Sequence, residues 1–355
     1  MLTALLLLAG AVLLLIGAEL LVRGASRLAA AAGVPSLVIG LTVVAFGTSA
    51  PELAVSLGAA LAGQPGIAVG NVVGSNIFNV LFILGVSALI VPLTVQSQLV
   101  RLDVPVMMAA SVALLLLAMD GAIGRVDGVL LCAALAGYTI FLIRKGRADA
   151  SASGTAGPDV LRQGGVRGLV LAGAIALAGL GLLVVGSRLF VDGAVLLATR
   201  LGVSDVVIGL TIVAAGTSLP EVATSVLASL RRERDIAIGN VVGSNIFNIL
   251  GILGVCGLVT DTGVEVAASI LAFDLPVTIA VALVTLPIFF TGMRISRGEG
   301  ALFLGYYVAY TAFLILDATR HDALAGFSSI MLFVVLPATL IALLLGFRRP
   351  GARAG

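Results

Sequence analysis

Thr48, Ser49 and Glu52 sit in the hexapeptide Gly47-Thr48-Ser49-Ala50-Pro51-Glu52, inside an apolar run from about 34 to 61. Thr48 and Glu52 are four residues apart, so a helix presents both on one face. Pro51 lacks a backbone N–H and Gly47 loosens the helix, which frees carbonyl oxygens beside them. An ionised carboxylate at the bilayer centre costs roughly 2.5–3.5 kcal/mol on insertion scales. A cation is required to offset it.

The arrangement occurs twice. Gly216-Thr217-Ser218-Leu219-Pro220-Glu221 follows at an offset of 169, and Gly70 to Asn79 returns as Gly239 to Asn248 at the same offset. Comparing 38–79 with 207–248 gives 28 identities in 42 positions, so the chain is internally duplicated. Asn71, Ser75 and Asn79 form a polar stripe of spacing four on an otherwise apolar helix, and Asn240, Ser244 and Asn248 form its copy. Such stripes also join transmembrane helices, and Gly70/Gly74 and Gly239/Gly243 suit close packing of that kind. Two stripes and two glutamates, with no histidine or thiolate among them, supply the oxygen donors that hard cations take. Glu52, Glu221, Ser75, Asn79, Ser244 and Asn248 are therefore candidate cation ligands. Two ionised glutamates neutralise one Ca²⁺, or the same charge in sodium ions or protons. A site that must be neutralised but accepts alternative cations is what an exchanger needs.

Composition sets the class. Of 355 residues 60% are hydrophobic and 11% charged, against about 25% charged in soluble chains. The chain is an all-α polytopic membrane protein whose surroundings are the lipid bilayer. Net charge is +2, and no basic stretch interleaved with aromatics points to nucleic acid. Cys132 and Cys256 lie in apolar spans and set no disulfide framework. Ser49 and Ser218 have no base near them in sequence, and His321, the single histidine, falls in a short loop, so a transporter is expected rather than an enzyme, with no cofactor. No obligate protein partner is indicated.

Spans are expected near 2–22, 34–61, 67–91, 103–119, 127–144, 168–188, 203–230, 236–259, 273–291, 300–317 and 325–347. With the N-terminus outside, 16 of the 20 Lys and Arg residues fall on the cytoplasmic side, the C-terminal Arg348, Arg349 and Arg353 among them. Five spans per repeat is an odd number, so the second repeat is inverted. The expected organisation is a first repeat over 1–144, a cytoplasmic linker over 145–166, a second repeat over 167–317, and an extra span with a basic tail over 318–355. Inverted repeats with interrupted helices meeting at the midplane are a secondary-transporter architecture. Asp103-Val104-Pro105 and Asp274-Leu275-Pro276 read as helix N-termini.

The duplicated double motif resembles the two alpha-repeats of the calcium/cation antiporter superfamily, in its sodium/calcium exchanger branch, over roughly residues 1–317. The bacterial and archaeal calcium/sodium antiporters are the nearest match. The resemblance implies a ten-helix core plus an eleventh, C-terminal helix, in the plasma (inner) membrane of a prokaryote. It implies Na⁺ and Ca²⁺ as transported ions, with Glu52, Glu221, Thr48 and Thr217 holding calcium. Ser49, Ser218, Ser75, Ser244, Asn79, Asn248 and the carbonyls of Ala45 and Ala214 add sodium contacts. The first and sixth spans would slide as a gating pair. Some relatives, potassium-dependent ones included, carry an aspartate where this chain has Asn248, so no potassium requirement is expected. A proton/calcium antiporter of the same fold remains the alternative, and a cation channel the rival from another class.

Overall fold

The computed structural model describes residues 2–152, 165–203, 205–290 and 292–347. In order the helices are α1 (Leu2–Ala32), α2 (Ser36–Thr48), α3 (Ala50–Leu61), α4 (Pro65–Ile90), α5 (Leu99–Asp120) and α6 (Arg125–Ala152). The second half holds α7 (Gly165–Arg200), α8 (205–216), α9 (Leu219–Leu230), α10 (Arg234–Val259), α11 (Ile270–Phe290) and α12 (Arg297–Ala318), followed by α13 (Ala323–Ala342). Among the described residues nine helices are long and apolar enough to cross a membrane, and α2 with α3, bent by 46°, makes a tenth. The pair α8 and α9 takes up the matching stretch of the second half. Helix satisfies every backbone group within its own segment, which is what a bilayer demands.

Burial identifies the centre. Of the apolar window of α4 72% is buried, and of α10 89%, against 0% for α13. α4 and α10 therefore form the middle of the bundle and α13 its lipid-facing edge, tied back by Tyr306, whose hydroxyl donates to Thr339 Oγ1 at 2.6 Å. α1 and α7 lie against each other along their length. Glycine permits this: a Cβ at Gly17 would fall 2.8 Å from the Gly179 carbonyl oxygen, and one at Gly24 would fall 2.6 Å from the Ala176 nitrogen.

Several elements depart from the sequence expectation. The first and sixth helices run to Ala32 and Arg200, well past 22 and 188, and the fifth continues to Ala152 into the expected linker. Charged residues such as Arg23 and Arg27 end an apolar window but not a helix, and Gly33, at φ 63°, is what stops α1. The rest of that linker over 153–164, with Arg162, and the tail carrying Arg348, Arg349 and Arg353 lie outside the described residues. The prolines do not sit at the breaks. Ser49 (φ −80°, ψ 7°) and Ser218 (φ −87°, ψ 8°) turn the chain, and Pro51 and Pro220 stand in the first turn of the next helix, where no N–H is needed.

Short π-helical segments widen three pairs of spans at matching places: Gly40–Val44 and Gly209–Val213, Asn79–Leu84 and Asn248–Leu253, Leu99–Asp103 and Ile270–Asp274. The chain is also not purely helical. Two-residue strands β1 (Leu93–Thr94), β2 (Ala122–Ile123), β3 (Val264–Glu265) and β4 (Arg294–Ile295) pair antiparallel as β1 with β4 and β2 with β3, so each pair joins the two halves. Asp103 and Asp274 do not cap helices. They accept the hydroxyls of Tyr138 at 2.9 Å and Tyr310 at 2.8 Å, fastening α5 to α6 and α11 to α12.

Candidate cation site

The breaks at Ser49 and Ser218 bring the two halves together through reciprocal contacts. Ser49 Oγ donates to Glu221 Oε1 at 3.0 Å, and Ser218 Oγ donates to Glu52 Oε1 at 2.7 Å. Asn79 Nδ2 donates to Asn245 Oδ1, and Asn248 Nδ2 to Asn76 Oδ1, both at 3.0 Å. Asn76 and Asn245 also donate to each other's backbone carbonyl, at 3.2 and 3.3 Å. In every pair the partners exchange under the offset of 169, which is what a two-fold axis between the halves produces.

Around this axis Glu52 and Glu221 are 1% and 0% exposed, and Thr48, Ser49, Ser218, Ser75, Ser244, Asn79 and Asn248 are buried with them. Ser75 Oγ lies 3.2 Å from Ser218 Oγ, and Ser244 Oγ lies 3.5 Å from the Ala45 carbonyl oxygen. For Ala214, the mate of Ala45, the backbone alone is described, in the turn Ala214–Gly216. Thr217, partly exposed, donates to Asn71 Oδ1 at 3.5 Å, while the buried Thr48 donates to Asn240 Oδ1 at 2.9 Å. Hydrogen bonds thus gather Glu52, Ser218 and Ser75 in one group and Glu221 with Ser49 in another, with Ser244 beside Ala45 and Asn79 and Asn248 on the facing asparagines.

What they leave unsatisfied defines the chemistry. Glu52 Oε2, Glu221 Oε2, Asn79 Oδ1 and Asn248 Oδ1 are buried without a hydrogen-bond partner. All four are acceptors, two from each half. Each asparagine spends its amide N–H₂ on the opposite half, so its carbonyl oxygen is left free. Buried acceptors without donors are costly; a bound cation, or at the glutamates a proton, would supply the missing partner. No group of three or more His, Cys, Asp or Glu side chains converges among the described residues, so carboxylates can act only together with hydroxyls, amides and carbonyls. That donor set suits Ca²⁺ and Na⁺.

The two ends of the site differ in access. Asn240 and Gly239 are buried, whereas Asn71 is partly exposed and Gly70 exposed. At the buried end Leu21, Val22, Ala25 and Ala29 of α1 pack with Ala228 of α9 and with Ile236 and Ala237 of α10, an apolar seal.

The profile of the family described as sodium/calcium exchanger protein matches residues 2–144 and 171–316. The chain belongs to the sodium/calcium exchanger family. Inner membrane protein YrbG of Escherichia coli K12 is 37% identical to it over 289 residues, covering 79% of this chain and 87% of YrbG. Sodium/calcium exchanger MaX1 of Methanosarcina acetivorans is 35% identical over 346 residues, 87% of this chain and 97% of MaX1. The solved sodium-calcium exchanger NCX_Mj superposes with a TM-score of 0.76 at 33% identity, over 88% of this chain and 98% of that one. The exchanger is accordingly a multi-pass membrane transporter of helical fold.

Two positions at the candidate site were not singled out by spacing. Asn76 and Asn245 fall outside the stripe of spacing four, yet they hold the amides of Asn248 and Asn79. Ser187 of α7 donates to the Gly216 carbonyl at 2.6 Å. That carbonyl is the one Pro220, four residues on, cannot reach for want of an N–H. Ala18 stands in the equivalent place of α1 and has no hydroxyl to offer Gly47. The expected close packing holds at Gly239 and Gly243, where a Cβ at Gly243 would lie 2.6 Å from the Leu41 carbonyl oxygen, but not at Gly70 and Gly74: a Cβ at Gly70 would meet only Ile270 Cδ1 at 3.9 Å and one at Gly74 would meet open space.

Proposed function

We propose that the chain exchanges Na⁺ for Ca²⁺ by alternating access to one site on the axis between its halves. Glu52, Glu221, Thr48 and Thr217 hold calcium there. Ser49, Ser218, Ser75, Ser244, Asn79, Asn248 and the carbonyls of Ala45 and Ala214 complete the sodium contacts. The observation that carries this reading is the set of four buried, partnerless acceptor oxygens on Glu52, Glu221, Asn79 and Asn248. Protons need no coordination shell, so the neutral oxygens around the glutamates favour sodium as the counter-ion. The names of MaX1 and NCX_Mj point the same way.

The placement of Lys and Arg favours an N-terminus outside; alternation of the spans then puts β1 and β4 on the cytoplasmic face and β2 and β3 on the outer face, and the strand pairing agrees with that alternation. The ion pair of Arg125 with Asp261 and the Gln96–Asp235 hydrogen bond also join loops of the same face. On this reading the exposed end at Asn71 faces outward and the α1 seal closes the cytoplasmic end. If more than two sodium ions move per calcium, net charge crosses, worth about 2.3 kcal/mol per charge per 100 mV, and an inside-negative potential drives calcium out.

The test is radiocalcium uptake into sodium-loaded proteoliposomes diluted into sodium-free buffer. Uptake that needs the outward sodium gradient supports the exchange. Uptake driven by an outward proton gradient instead replaces sodium with protons, and uptake indifferent to either gradient means a channel.

A further inference from the structure

We propose that an ion pair between Glu19 and Arg231 latches the cytoplasmic gate of this exchanger shut, and that the outer gate has no such latch. The inference rests on the alternating-access reading above and adds to it a one-sided bias.

Arg231 caps the C-terminal end of α9, the helix that begins with Glu221. Its Nη2 lies 2.8 Å from Glu19 Oε1 and its Nε donates to Glu19 Oε2 at 3.0 Å, a two-pronged grip on one carboxylate. Glu19 belongs to α1, and its side chain is only 20% exposed. Arg23, one turn on, pairs with the same carboxylate from within α1. The grip therefore joins two bodies: the glycine-packed pair α1 and α7, and the broken-helix pair that carries the site. It lies on the side of the apolar seal that Leu21, Val22 and Ala25 make with Ala228. A cavity of about 300 Å³ lined by Glu19, Arg23, Arg27, Arg231 and Glu233 meets it. Separating α1 from α9 opens the seal and must break the pair.

The internal duplication states what the opposite gate should hold, because position 19 maps to 188 and position 231 to 62. Arg188 carries a charge, but Ala62, at the end of α3, offers it a methyl group, and Gly63 and Gln64 follow. Closing the outer gate forms no matching ion pair. The two gates share their apolar architecture but not this contact, so the closed-inside conformation is favoured. The access difference seen at Asn240 and Asn71 has the same sense.

The experiment measures inner-gate opening without using transport. Ala228, buried under α1, is replaced by cysteine in a chain with Cys132→Ala and Cys256→Ala, and inside-out vesicles are treated with a membrane-impermeant maleimide. Glu19→Gln and Arg231→Gln each raise the labelling rate about threefold, a shift suited to a half-exposed ion pair. The double variant is no faster than either single one, since both remove the same contact. Arg23→Gln, which bridges nothing between the bodies, gives no increase. Arg231→Lys, which keeps the charge and loses the two-pronged geometry, falls between and guards against a folding defect. Rates unchanged in both single variants, or effects that multiply in the double, overturn the latch. Because labelling needs no ion gradient, a latch that responds while sodium-driven uptake fails would remove the proposed coupling and leave the gate intact.

Discussion

Glu52→Gln is the sharpest perturbation of the site because it changes charge and almost nothing else. The glutamine can keep its carbonyl oxygen as the acceptor for Ser218 Oγ, the 2.7 Å bond that now holds Glu52 Oε1. Its amide nitrogen then stands where Glu52 Oε2 is, and a donor replaces one of the four partnerless acceptors. A dication in the site faces one carboxylate, Glu221, in surroundings 0% exposed at that residue. Leaving a buried charge short of one partner costs about 3–5 kcal/mol, or roughly 10²- to 10⁴-fold in calcium affinity. Thermal unfolding in detergent reads this directly. At a calcium concentration about 100 times the wild-type Kd, binding stabilises the wild type by about 2.7 kcal/mol, whereas a 100-fold weaker variant gains only about 0.4 kcal/mol. In the absence of calcium the variant should be the more stable of the two, since only one of two carboxylates buried at the same axis remains to be desolvated or protonated. A variant that binds calcium within tenfold of wild type, or that loses stability without calcium, would refute the placement of a cation on Glu52.

Asn76→Leu removes the acceptor that holds the Asn248 amide at 3.0 Å, so the Asn248 carbonyl is no longer aimed and sodium-driven uptake should fall about 10- to 100-fold. The same variant should alter apparent sodium affinity, which a purely structural defect need not do; a sodium dependence unchanged in shape counts against the positioning role. Uptake by the wild type should be the same with potassium or choline in the external medium, because Asn248 supplies an amide and leaves only two acidic groups at the site; acceleration by potassium contradicts this. Gly17→Val would drive a Cβ to 2.8 Å from the Gly179 carbonyl oxygen, and the cost of about 1–3 kcal/mol should appear as a lowered melting temperature and slowed exchange. Normal melting and exchange would mean that α1 and α7 part easily. Tyr310→Phe removes the 2.8 Å bond to Asp274 and leaves a partly buried carboxylate short of a donor, so it should destabilise by about 0.5–1.5 kcal/mol, read by thermal unfolding, with calcium affinity unchanged.

Sequence alone carried most of the architecture because its signals are local and doubled. The apolar windows marked the spans, and the offset of 169 paired Glu52 with Glu221 and Asn79 with Asn248 without any coordinates. A carboxylate in an apolar run has few explanations in a bilayer, so its role as a charge to be neutralised could be read from residue type and position. Helix ends were harder to read. α1 and α6 continue through Arg23, Arg27 and Lys145 because a charge leaves the membrane more readily than it leaves a helix.

Other features depended on tertiary contacts that spacing cannot express. Proline was the visible breaker, yet the turns fall at Ser49 and Ser218, where the opposing glutamates accept the serine hydroxyls. Asn76 and Asn245 lie off the regular stripe, and their value comes from meeting each other across the axis. Asp103 and Asp274 looked like helix caps because Asp followed by Pro is common there, but Tyr138 and Tyr310, far along the chain, claim them.

The sequence by itself therefore determined the class of protein and the duplication, and it supplied the expectation of inverted halves and of an oxygen-lined site. Each follows from composition, periodicity and charge, which are properties of segments. Only the tertiary structure decided which acceptors stay unpaired, which end of the site is sealed, and that Glu19 of the first helix meets Arg231 at the end of α9. Those depend on distances between residues more than a hundred positions apart, and no local pattern encodes them.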